Sequence, residues 1–540
     1  MFYRALAWHP LAAPLLLFSF ATLLLQALRP INPIDETRYM AVAWEMWQAG
    51  SWLVPLLNGE PYSHKPPLLF WLIHAGWAIF GVQDVSARLV GTAFWVGVLY
   101  LTWRIGCRLW PDSHGRQAAV IGVWLLLAML YPLGFASMIM FDALVTFFVL
   151  LGLWGLLQIE SGRRIGWVWL ALAVTGGGLA KGPFAVLFLV SLTVSAPWWM
   201  ADPNGRMNHW RGRFLWWLRT GSVGLAGAAP VLLWAVLAAS AGTPQYAEEI
   251  LWGQMAGRVV DAFDHARPFW WYLPMLAVML LPVLLWGPFV AAFGPRSLRS
   301  LPRAGVMLFW TVPPFVLLSL VSGKQPHYLL PMLPALALVA GAWIVRCDDS
   351  PVPARGVFAL VAVLSLTVWV LPWFSDAYWA ELLAGPGLFW ALPLFLFAMG
   401  LFKPRSPTIQ TRWIALVAAG LLITVHLVAL PMRPTMDFRD FSKELAQLAE
   451  DGRPLAFVGK YRGEFHYHGR LESPVTVLPG ATAIPEWCQS EPRGVVITVD
   501  RAAPQGAHLA STRFRSRFDV ARSCDVVAGS VVGRGVSREG

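Results

Sequence analysis

Two clusters of polar side chains interrupt this apolar chain, and both follow its first apolar segment. Residues 35–39 (Asp-Glu-Thr-Arg-Tyr) supply two carboxylates, a guanidinium and a phenol. Residues 62–67 (Tyr-Ser-His-Lys-Pro-Pro) add an imidazole and an ammonium group in the same loop. Charged groups at a membrane boundary cost free energy unless they perform a function. An acid, a base and cations at one water-facing surface therefore indicate an enzyme more than a scaffold.

The composition indicates a polytopic membrane protein. The chain is 57% hydrophobic and 13% charged, whereas about a quarter of the residues of a soluble protein are charged. Windows long enough to span a bilayer number about thirteen, since a helix needs about 20 residues. The first window is expected to stay as an anchor, because no small-residue cleavage site follows it before the charged cluster. The windows lie near 11–29, 86–104, 117–135, 142–158, 166–180, 183–200, 220–240, 269–291, 305–322, 327–345, 356–374, 386–402 and 413–431.

The distribution of Lys and Arg orients the chain. If the N-terminus is cytoplasmic, the cytoplasmic connections hold most of the basic residues of the membrane region, as the positive-inside rule requires. The C-terminus then lies in the periplasm. The few basic residues on the outer side run against this bias, which makes them candidates for binding. The net charge of +11 mostly reflects topology and not affinity for nucleic acid.

Two segments outside the windows have their own predicted structure. In the first periplasmic loop, 30–85, apolar stretches at 41–48 and 66–81 predict interfacial helices that hold the polar clusters at headgroup height. Residues 433–540 are more polar and predict a small periplasmic α/β domain after a membrane domain of 1–432, since an amphipathic stretch and two apolar strand-like runs occur there. Cys488 and Cys524 share this domain. They could form a disulfide in an oxidising compartment or stay as two buried thiols.

A resemblance to a known family appears in the order of seven motifs. The chain resembles the bacterial branch of the protein O-mannosyltransferase superfamily, glycosyltransferase family 39, and in particular the lipid A 4-amino-4-deoxy-L-arabinose transferases. The resemblance covers about residues 1–335. The motifs are 35–39, 50–55 (Gly-Ser-Trp-Leu-Val-Pro), 62–67, 140–142 (Met-Phe-Asp), 178–183 (Gly-Leu-Ala-Lys-Gly-Pro), 265–269 (His-Ala-Arg-Pro-Phe) and 323–331 (Gly-Lys-Gln-Pro-His-Tyr-Leu-Leu-Pro).

The resemblance implies a fold and a reaction. The fold would be that of a GT-C glycosyltransferase, a polytopic α-helical protein of the bacterial inner membrane. The donor would be a sugar on polyprenyl (undecaprenyl) phosphate, and the acceptor would lie on the periplasmic side. The sugar would be transferred with inversion, which needs a base for the acceptor hydroxyl and positive charge on the departing phosphate but no second nucleophile.

Three carboxylates are candidates for the catalytic groups. Asp35 is the expected base, and its alternative is an N-cap for the helix that starts near Glu36. Glu36 either complements the dipole of that helix or contacts the acceptor or a metal. Asp142 stands within an apolar run, so it should have a cation or hydroxyl partner. Its alternative is a cap at the outer end of its span.

A second set of residues is expected to bind the donor and acceptor. Basic residues would clamp the donor phosphate, or they would snorkel to lipid headgroups. Tyrosines and Arg88 could position the substrates, although tyrosines are also common in interfacial belts. Lys181, at a helix junction, is expected to be structural. The predicted phosphate ligands are Lys65, Arg258, Arg267 and Lys324, and the predicted substrate ligands are Tyr39, Tyr62, Arg88 and Tyr328.

No cofactor is expected to be required, but a divalent metal is an option. In the family the residue before the motif lysine is typically acidic, whereas here it is His64. His64 and His265 could hold zinc or a similar ion. The resemblance implies that the acceptor is lipid A or another envelope glycolipid. The substitution weakens the expectation of lipid A, and a polysaccharide, a lipid-linked glycan or protein hydroxyls fit the same chemistry.

Two other classes of protein compete with the transferase. A transporter or lipid flippase would place its charges near the bilayer midplane and not in one external loop. An assembly protein that only binds sugar or lipid would tolerate the loss of Asp35. The external clustering of acid, base and cations favours the enzyme.

Overall fold

The computed structural model describes residues 9–202, 205–251, 267–346, 350–374, 386–501, 503–504, 507–514 and 517–527. It is largely helical. The α-helices are Ala12–Leu28, Asp35–Gln48, Leu68–Phe80, Asp84–Leu109, Ser113–Ala128, Leu130–Phe135, Asp142–Glu160, Ile165–Lys181, Pro183–Trp199, Trp210–Ala241, Pro244–Glu248, Tyr272–Met279, Gly287–Ala291, Pro295–Ser300, Ala304–Leu320, Leu333–Ile344, Arg355–Phe374, Pro386–Ala398, Pro407–Val428, Arg439–Glu450, His466–Gly469 and Ile484–Ser490. The 3₁₀ helices are Arg206–Asn208, Phe269–Trp271, Val283–Leu285, Pro326–Met332, Met399–Phe402, Leu430–Thr435 and Ala481–Ala483.

Among the described residues, five helical stretches are long and apolar enough to cross a bilayer. Further apolar helices of 10–17 residues accompany them, and buried apolar side chains from most of these helices form one continuous core. This architecture agrees with a polytopic helical membrane protein. The count of thirteen spans stays a prediction. The five long stretches are Asp84–Leu109, Asp142–Glu160, Trp210–Ala241, Pro326–Ile344 and Pro407–Val428.

Two of the expected spans are not continuous helices. The 117–135 window breaks at Met129, whose backbone is extended between two helices. The 269–291 window consists of four short helical pieces, of which the last two are Val283–Leu285 and Gly287–Ala291. Proline cannot donate a backbone hydrogen bond and clashes with the preceding turn, so Pro282 interrupts this second window.

The first loop contains two helices and a hairpin. The first helix is longer than expected, because it begins at Asp35 and runs without a break to Gln48. The second, Leu68–Phe80, falls inside the 66–81 segment. Between them, strands β1 (Leu56–Leu57) and β2 (Glu60–Pro61) form an antiparallel hairpin.

The hairpin turn is Asn58-Gly59, and both residues have positive φ, 56° and 79°. This is the sequence that two-residue hairpin turns favour. Glu45 accepts hydrogen bonds from the backbone N–H groups of Asn58 (2.7 Å) and Gly59 (2.8 Å). The helix Asp35–Gln48 therefore holds the hairpin in place.

Residues 437–527, here called the C-terminal unit, contain a five-stranded mixed sheet of order β4-β3-β5-β7-β6. Strands β4, β3 and β5 are parallel, and β5, β7 and β6 are antiparallel. Cys488 and Cys524 form a disulfide, which decides between the two alternatives for these cysteines. The observed sheet and helices agree with the expected α/β character, while the domain boundary at 432/433 stays a prediction. The strands are β3 (Leu455–Val458), β4 (Thr476–Leu478), β5 (Val495–Asp500), β6 (Ala510–Phe514) and β7 (Arg517–Ser523).

The C-terminal unit packs directly on the first loop. Trp44 Nε1 donates to the carbonyl of Leu471 (3.0 Å), and the Asn58 side chain both donates to and accepts from the backbone of Val475 (2.9 and 2.8 Å). The rings of Trp77 and Tyr467 stack with their centroids 5.8 Å apart. The C-terminal unit and the first loop are far apart in the sequence, yet the C-terminal unit contacts the helix Asp35–Gln48, which carries the first polar cluster.

Candidate active site

The two adjacent acidic residues of the first cluster have opposite environments. The Asp35 side chain is 52% exposed and the Glu36 side chain is 0% exposed. A helix turns by about 100° per residue, so neighbouring positions face different directions. Asp35 is therefore accessible from outside the protein, and Glu36 faces the protein interior.

Four N–H donors surround the carboxylate of Glu36. Arg29 donates to both oxygens, at 2.5 and 2.8 Å. The backbone N–H groups of Asn32 (3.0 Å) and Ile139 (2.7 Å) donate to one oxygen each. Burial alone would raise the pKa of Glu36, but the charge and hydrogen bonds of Arg29 outweigh burial and lower it. The arrangement leaves no access for an acceptor, and it favours a structural role over the catalytic role expected from the sequence.

Asp35 has the accessible carboxylate. It forms an ion pair with Arg38, one helical turn later, and the Arg38 guanidinium lies 5.8 Å from the ring centroid of Tyr39. The N-cap residue is Ile34, and no side-chain cap hydrogen bond is present. The alternative of Asp35 as a helix cap is therefore wrong. Its carboxylate is held by the ion pair with Arg38.

Asp142 has the cation partner that its apolar surroundings require. Lys181 Nζ lies 2.7 Å from Oδ1 of Asp142, and His327 Nε2 lies 3.9 Å from Oδ2. Asp142 is the first residue of its helix, whose N-cap is Phe141, so the capping alternative is wrong for this residue as well. Lys181 also lies 4.6 Å from the ring centroid of Tyr328. Lys181 thus neutralises a buried carboxylate, a role consistent with the structural reading of this lysine.

The Asp142 group and the first-loop clusters lie within electrostatic reach of one another. Lys65 interacts electrostatically with Asp142 and with His327, and Asp35 also interacts with His327. Tyr39 packs its ring against Phe141, with the centroids 5.0 Å apart. Residues from the first loop and from later helical segments therefore lie in one region of the protein.

The tyrosines expected to bind substrate line the same region. Tyr39 and Tyr62 are buried, and both interact electrostatically with Arg38. Tyr62 packs against the His64 ring at 5.2 Å, and Tyr328 is half-buried beside Lys181. Burial raises the pKa of Tyr39 well above its ordinary value, so its phenol stays protonated and can donate a hydrogen bond.

The side chains of two expected ligands, Lys324 and Arg88, have other partners in the structure. Lys324 is buried and donates through Nζ to the carbonyl of Arg267 (3.0 Å) and to that of Val321. The Arg267 backbone N–H donates to the Ser322 carbonyl (3.1 Å), so Lys324 stabilises this corner of the chain. Arg88 is buried and donates to main-chain carbonyls at the end of the first helix, including that of Arg29. These contacts favour structural roles for Lys324 and Arg88.

Two of the expected site residues, Arg258 and His265, lie outside the described residues. His64 is exposed. Within the described ranges, no group of three or more His, Cys, Asp or Glu side chains could hold a metal ion. The described part of the chain therefore supplies one member of the proposed metal pair, and the metal stays a prediction.

Sequence reasoning did not single out His327. It lies inside the 323–331 motif, and the signal that could have identified it is its position next to Tyr328, a residue already expected to contact substrate. Glu249 was also missed, although it accepts a hydrogen bond from Ser63 (2.6 Å). Nothing in the sequence near Glu249 indicates this contact, because the two residues are far apart along the chain.

The sequence is similar to those of known proteins. Residues 64–234 match the family described as dolichyl-phosphate-mannose-protein mannosyltransferase. The undecaprenyl phosphate-alpha-4-amino-4-deoxy-L-arabinose arabinosyl transferase 2 of Sodalis glossinidius is 30% identical over 414 residues, which are 72% of this chain and 71% of the relative. The corresponding transferase of Erwinia tasmaniensis is 28% identical over 74% of this chain and 73% of its own.

Solved structures show the same fold. The crystal structure of ArnT from Cupriavidus metallidurans in the apo state has a TM-score of 0.73 at 18% identity, over 95% of this chain and 98% of that chain. The structure of the same protein bound to undecaprenyl phosphate has a TM-score of 0.70 at 19% identity, over 94% of this chain and 97% of that chain. Fold and site together define a polytopic membrane glycosyltransferase of the GT-C class.

The chain belongs to the protein O-mannosyltransferase-related family that contains these arabinosyl transferases. It is a polyprenyl-phosphate-sugar-dependent glycosyltransferase, which confirms the expected enzyme class and helical membrane fold.

Proposed function

We propose that this enzyme transfers a sugar from undecaprenyl phosphate to a periplasmic acceptor, most favourably lipid A or another envelope glycolipid, with inversion at the anomeric carbon. The names of the relatives support undecaprenyl phosphate as the carrier and a pentose, 4-amino-4-deoxy-L-arabinose, as the sugar. Lipid A as the acceptor follows from the resemblance to the lipid A aminoarabinose transferases. The observation that carries the proposal is the half-exposed carboxylate of Asp35, which is ion-paired with Arg38 and lies within electrostatic reach of His327 beside Asp142.

In this proposal Asp35 is the general base. Its carboxylate takes the proton of the acceptor hydroxyl while that oxygen attacks the anomeric carbon, and the bond from this carbon to the phosphate oxygen breaks. The leaving group is undecaprenyl phosphate, so its negative charge must be stabilised as it develops. Arg38 orients Asp35, since the two side chains form an ion pair.

Lys65 is the proposed cation for the departing phosphate. It is half-buried and lies within electrostatic reach of Asp142 and His327, whereas Lys181 already forms a short ion pair with Asp142. Lys324 donates to backbone carbonyls, so we assign it to holding the Arg267 segment in place. Arg258 and Arg267 complete the proposed clamp.

Asp35→Asn tests the base. Asn keeps the volume but does not accept a proton at neutral pH, so we expect turnover to fall by at least ~10²-fold while donor binding is unchanged. The assay uses purified protein, undecaprenyl-phosphate-linked 4-amino-4-deoxy-L-arabinose and lipid A. Asp84→Asn is the matched control, because Asp84 also begins a helix and pairs with an arginine, Arg439, at 3.3 Å. Near-normal transfer by Asp35→Asn would reject Asp35 as the base.

Lys65→Ala tests the phosphate contact. We expect weaker donor binding or loss of turnover, because a positive charge on the leaving phosphate is removed. Lys443→Ala, on an exposed side of helix Arg439–Glu450, controls for the general loss of a lysine. Monodisperse Lys65→Ala that binds donor and transfers sugar at the parental rate would show that Lys65 serves only the membrane surface.

The acceptor is tested separately from the chemistry. A polysaccharide, a lipid-linked glycan or protein hydroxyls would use the same base and leaving group. Mass spectrometry of lipid A and of envelope glycans from a deletion strain distinguishes them, since only the true acceptor loses the sugar mass. Loss of the modification from a glycan or protein, with lipid A unchanged, would reject lipid A.

A further inference from the structure

A cleft lies between three apolar helices, and none of its lining residues belongs to the proposed active site. Its volume is about 460 Å³. The helices are Ile165–Lys181, Pro183–Trp199 and Trp210–Ala241. Only 17% of the most apolar window of the third helix is buried inside the protein, so in a membrane this helix is surrounded by lipid. The cleft therefore opens toward the bilayer.

Two glycines of the third helix leave the space that forms the cleft. Gly221 and Gly224 lie in its wall, and a Cβ atom at either position would have no heavy atom within 4 Å. Gly227, one turn later, is different, because a Cβ atom there would lie 2.6 Å from the carbonyl oxygen of Ala171. The helices thus touch at Gly227 and separate at the two earlier glycines.

The wall of the cleft presents almost only apolar atoms. Two threonines line it, and their hydroxyls are already bonded within their own helices. The Thr193 hydroxyl donates to the carbonyl of Leu189 (2.8 Å). The Thr220 hydroxyl donates to the carbonyl of Trp216 (2.9 Å). A hydrocarbon chain fits such a wall, whereas a polar ligand would give up its hydrogen bonds to water there.

The length of the cleft matches one leaflet of a bilayer. Along the third helix the wall extends from Trp217 to Ala228, which is about 16 Å at a rise of 1.5 Å per residue. The hydrocarbon core of a bilayer is about 30 Å thick. The acyl chain of a phospholipid crosses one leaflet and therefore fits this length. The undecaprenyl chain of the proposed donor is much longer than the cleft.

One end of the cleft carries a positive charge. Residues three or four positions apart share a face of a helix, so Arg213 lies on the cleft face, one turn before Trp217. Its Nε donates to the carbonyl of Met207 (2.9 Å), and its guanidinium lies 5.5 Å from the ring centroid of Trp198. The rings of Trp198 and Trp217 lie 6.3 Å apart. Arg213 is thus held beside two tryptophans, a residue type that is enriched at membrane interfaces.

The charge around Arg213 favours an anion. The third helix has three arginines among its first ten residues, at 211, 213 and 219, and it has no acidic residue. In the predicted orientation this end of the helix is cytoplasmic, and basic residues between helices on that side bind anionic lipid headgroups. The proposed donor phosphate would bind on the opposite, periplasmic side.

We propose that the cleft binds one anionic phospholipid of the cytoplasmic leaflet, such as phosphatidylglycerol. One acyl chain lies between the helices along Gly221 and Gly224, and the headgroup phosphate accepts hydrogen bonds from the Arg213 guanidinium. The lipid fills a gap that the protein leaves open, so it stabilises the packing of helix Trp210–Ala241 on helix Pro183–Trp199. This site does not depend on the proposed reaction.

Native mass spectrometry of the detergent-purified protein, with phosphatidylglycerol or phosphatidylethanolamine added, measures the binding. We expect the parent to retain one phosphatidylglycerol more strongly than phosphatidylethanolamine. Gly221→Leu and Gly224→Leu each fill the cleft with a side chain and should abolish this retention. Ser222→Leu is the matched control, because it adds the same side chain to the same helix at an exposed position outside the lining, and it should retain the lipid.

Arg213→Gln tests the headgroup contact. We expect the affinity for phosphatidylglycerol to fall about fivefold, the effect of one cation near an anionic headgroup. Arg211→Gln is the matched control, since Arg211 is exposed and two positions away, with its guanidinium 5.8 Å from the ring centroid of Trp210. It should change the affinity less than Arg213→Gln does.

Thermal unfolding provides a second measurement. Phosphatidylglycerol should raise the unfolding temperature of the parent but not that of the two glycine variants. Without lipid these variants should unfold no lower than the parent, because leucine favours a helix more than glycine does. If one glycine variant is not monodisperse, the other and Arg213→Gln still test the site.

Three outcomes would overturn the proposal. Parental lipid retention by the glycine variants would show that the lipid binds elsewhere. Equal retention of the two phospholipids by the parent would reject the anionic headgroup. Displacement of phosphatidylglycerol by undecaprenyl phosphate at equal concentration would assign the cleft to the polyprenyl chain instead.

Discussion

Neutralising Glu36 should destabilise the protein much more than neutralising its neighbour Asp35. Each oxygen of Glu36 accepts one N–H from Arg29 and one from the backbone of Asn32 or Ile139. In Glu36→Gln the amide nitrogen replaces one oxygen and points its own hydrogens at two donors. Either orientation of the amide therefore loses two hydrogen bonds and leaves the Arg29 charge without its partner.

The size of the effect follows from burial. Removing one partner of a buried ion pair costs about 3–5 kcal/mol, and Glu36 is fully buried. The ion pair of Asp35 with Arg38 links a half-exposed carboxylate to a side chain on the next turn of the same helix. Exposed ion pairs of this kind contribute about 0–1 kcal/mol to stability. Glu36→Gln should thus lower stability by several times more than Asp35→Asn.

Thermal denaturation of the purified protein, followed by fluorescence-detected size exclusion, measures this difference. Asp35→Asn should unfold near the parental temperature and lack transfer activity. Glu36→Gln should unfold at a clearly lower temperature, and any remaining folded protein should still bind donor. A parental unfolding temperature for Glu36→Gln, or a large drop for Asp35→Asn, would refute the assignment of one carboxylate to structure and the other to chemistry.

The pH dependence of stability provides an independent check. The pKa of Glu36 is lowered from 4.5 in the folded protein, so its contribution is present above pH 4.5 and is lost as the pH falls through the folded-state pKa. The free energy of unfolding of the parent should therefore decrease as the pH is lowered below 4.5. Glu36→Gln should lose less over the same interval, because its amide does not titrate.

Three further predictions concern other parts of the chain. Cys488→Ser should destabilise the C-terminal unit by about 2–4 kcal/mol, as measured by the unfolding temperature with and without reductant, and no change with reductant in the parent would contradict it. Lys181→Met should lower stability because it leaves Asp142 buried without its cation, whereas the double variant with Asp142→Asn should recover part of the loss; no recovery would argue against the pair. For topology, a cysteine introduced at Glu60 should react with an impermeant reagent in intact cells and one at His114 should not, and the reverse pattern would place the site on the cytoplasmic face.

Local features of the fold follow from the sequence. The composition predicts a polytopic helical protein, and the apolar stretches of the first loop predict its two helices, which the structure contains as Asp35–Gln48 and Leu68–Phe80. These features depend on residues within a few positions of one another.

Pairings between distant segments could not be predicted in this way. The enclosure of the Glu36 carboxylate depends on a hydrogen bond from the backbone of Ile139, about a hundred residues later. The ion-pair partner of Asp142 is Lys181, which the sequence showed only as a lysine at a helix junction. Arg88 and Lys324 looked like ligands because they are cations outside the cytoplasm, yet their contacts are with main-chain carbonyls. Charge and position in the sequence do not show which way a side chain points.

The sequence by itself determined the class of protein, the order of the motifs and the presence of a carboxylate beside cations at one membrane surface. Only the tertiary structure decided which of two adjacent carboxylates is accessible, whether Cys488 and Cys524 are joined, and where the C-terminal unit rests. The physical reason is that helix periodicity and hydropathy act over a few residues. The packing of helices and the docking of Gly463 on Ala41, in contrast, join segments that are hundreds of residues apart.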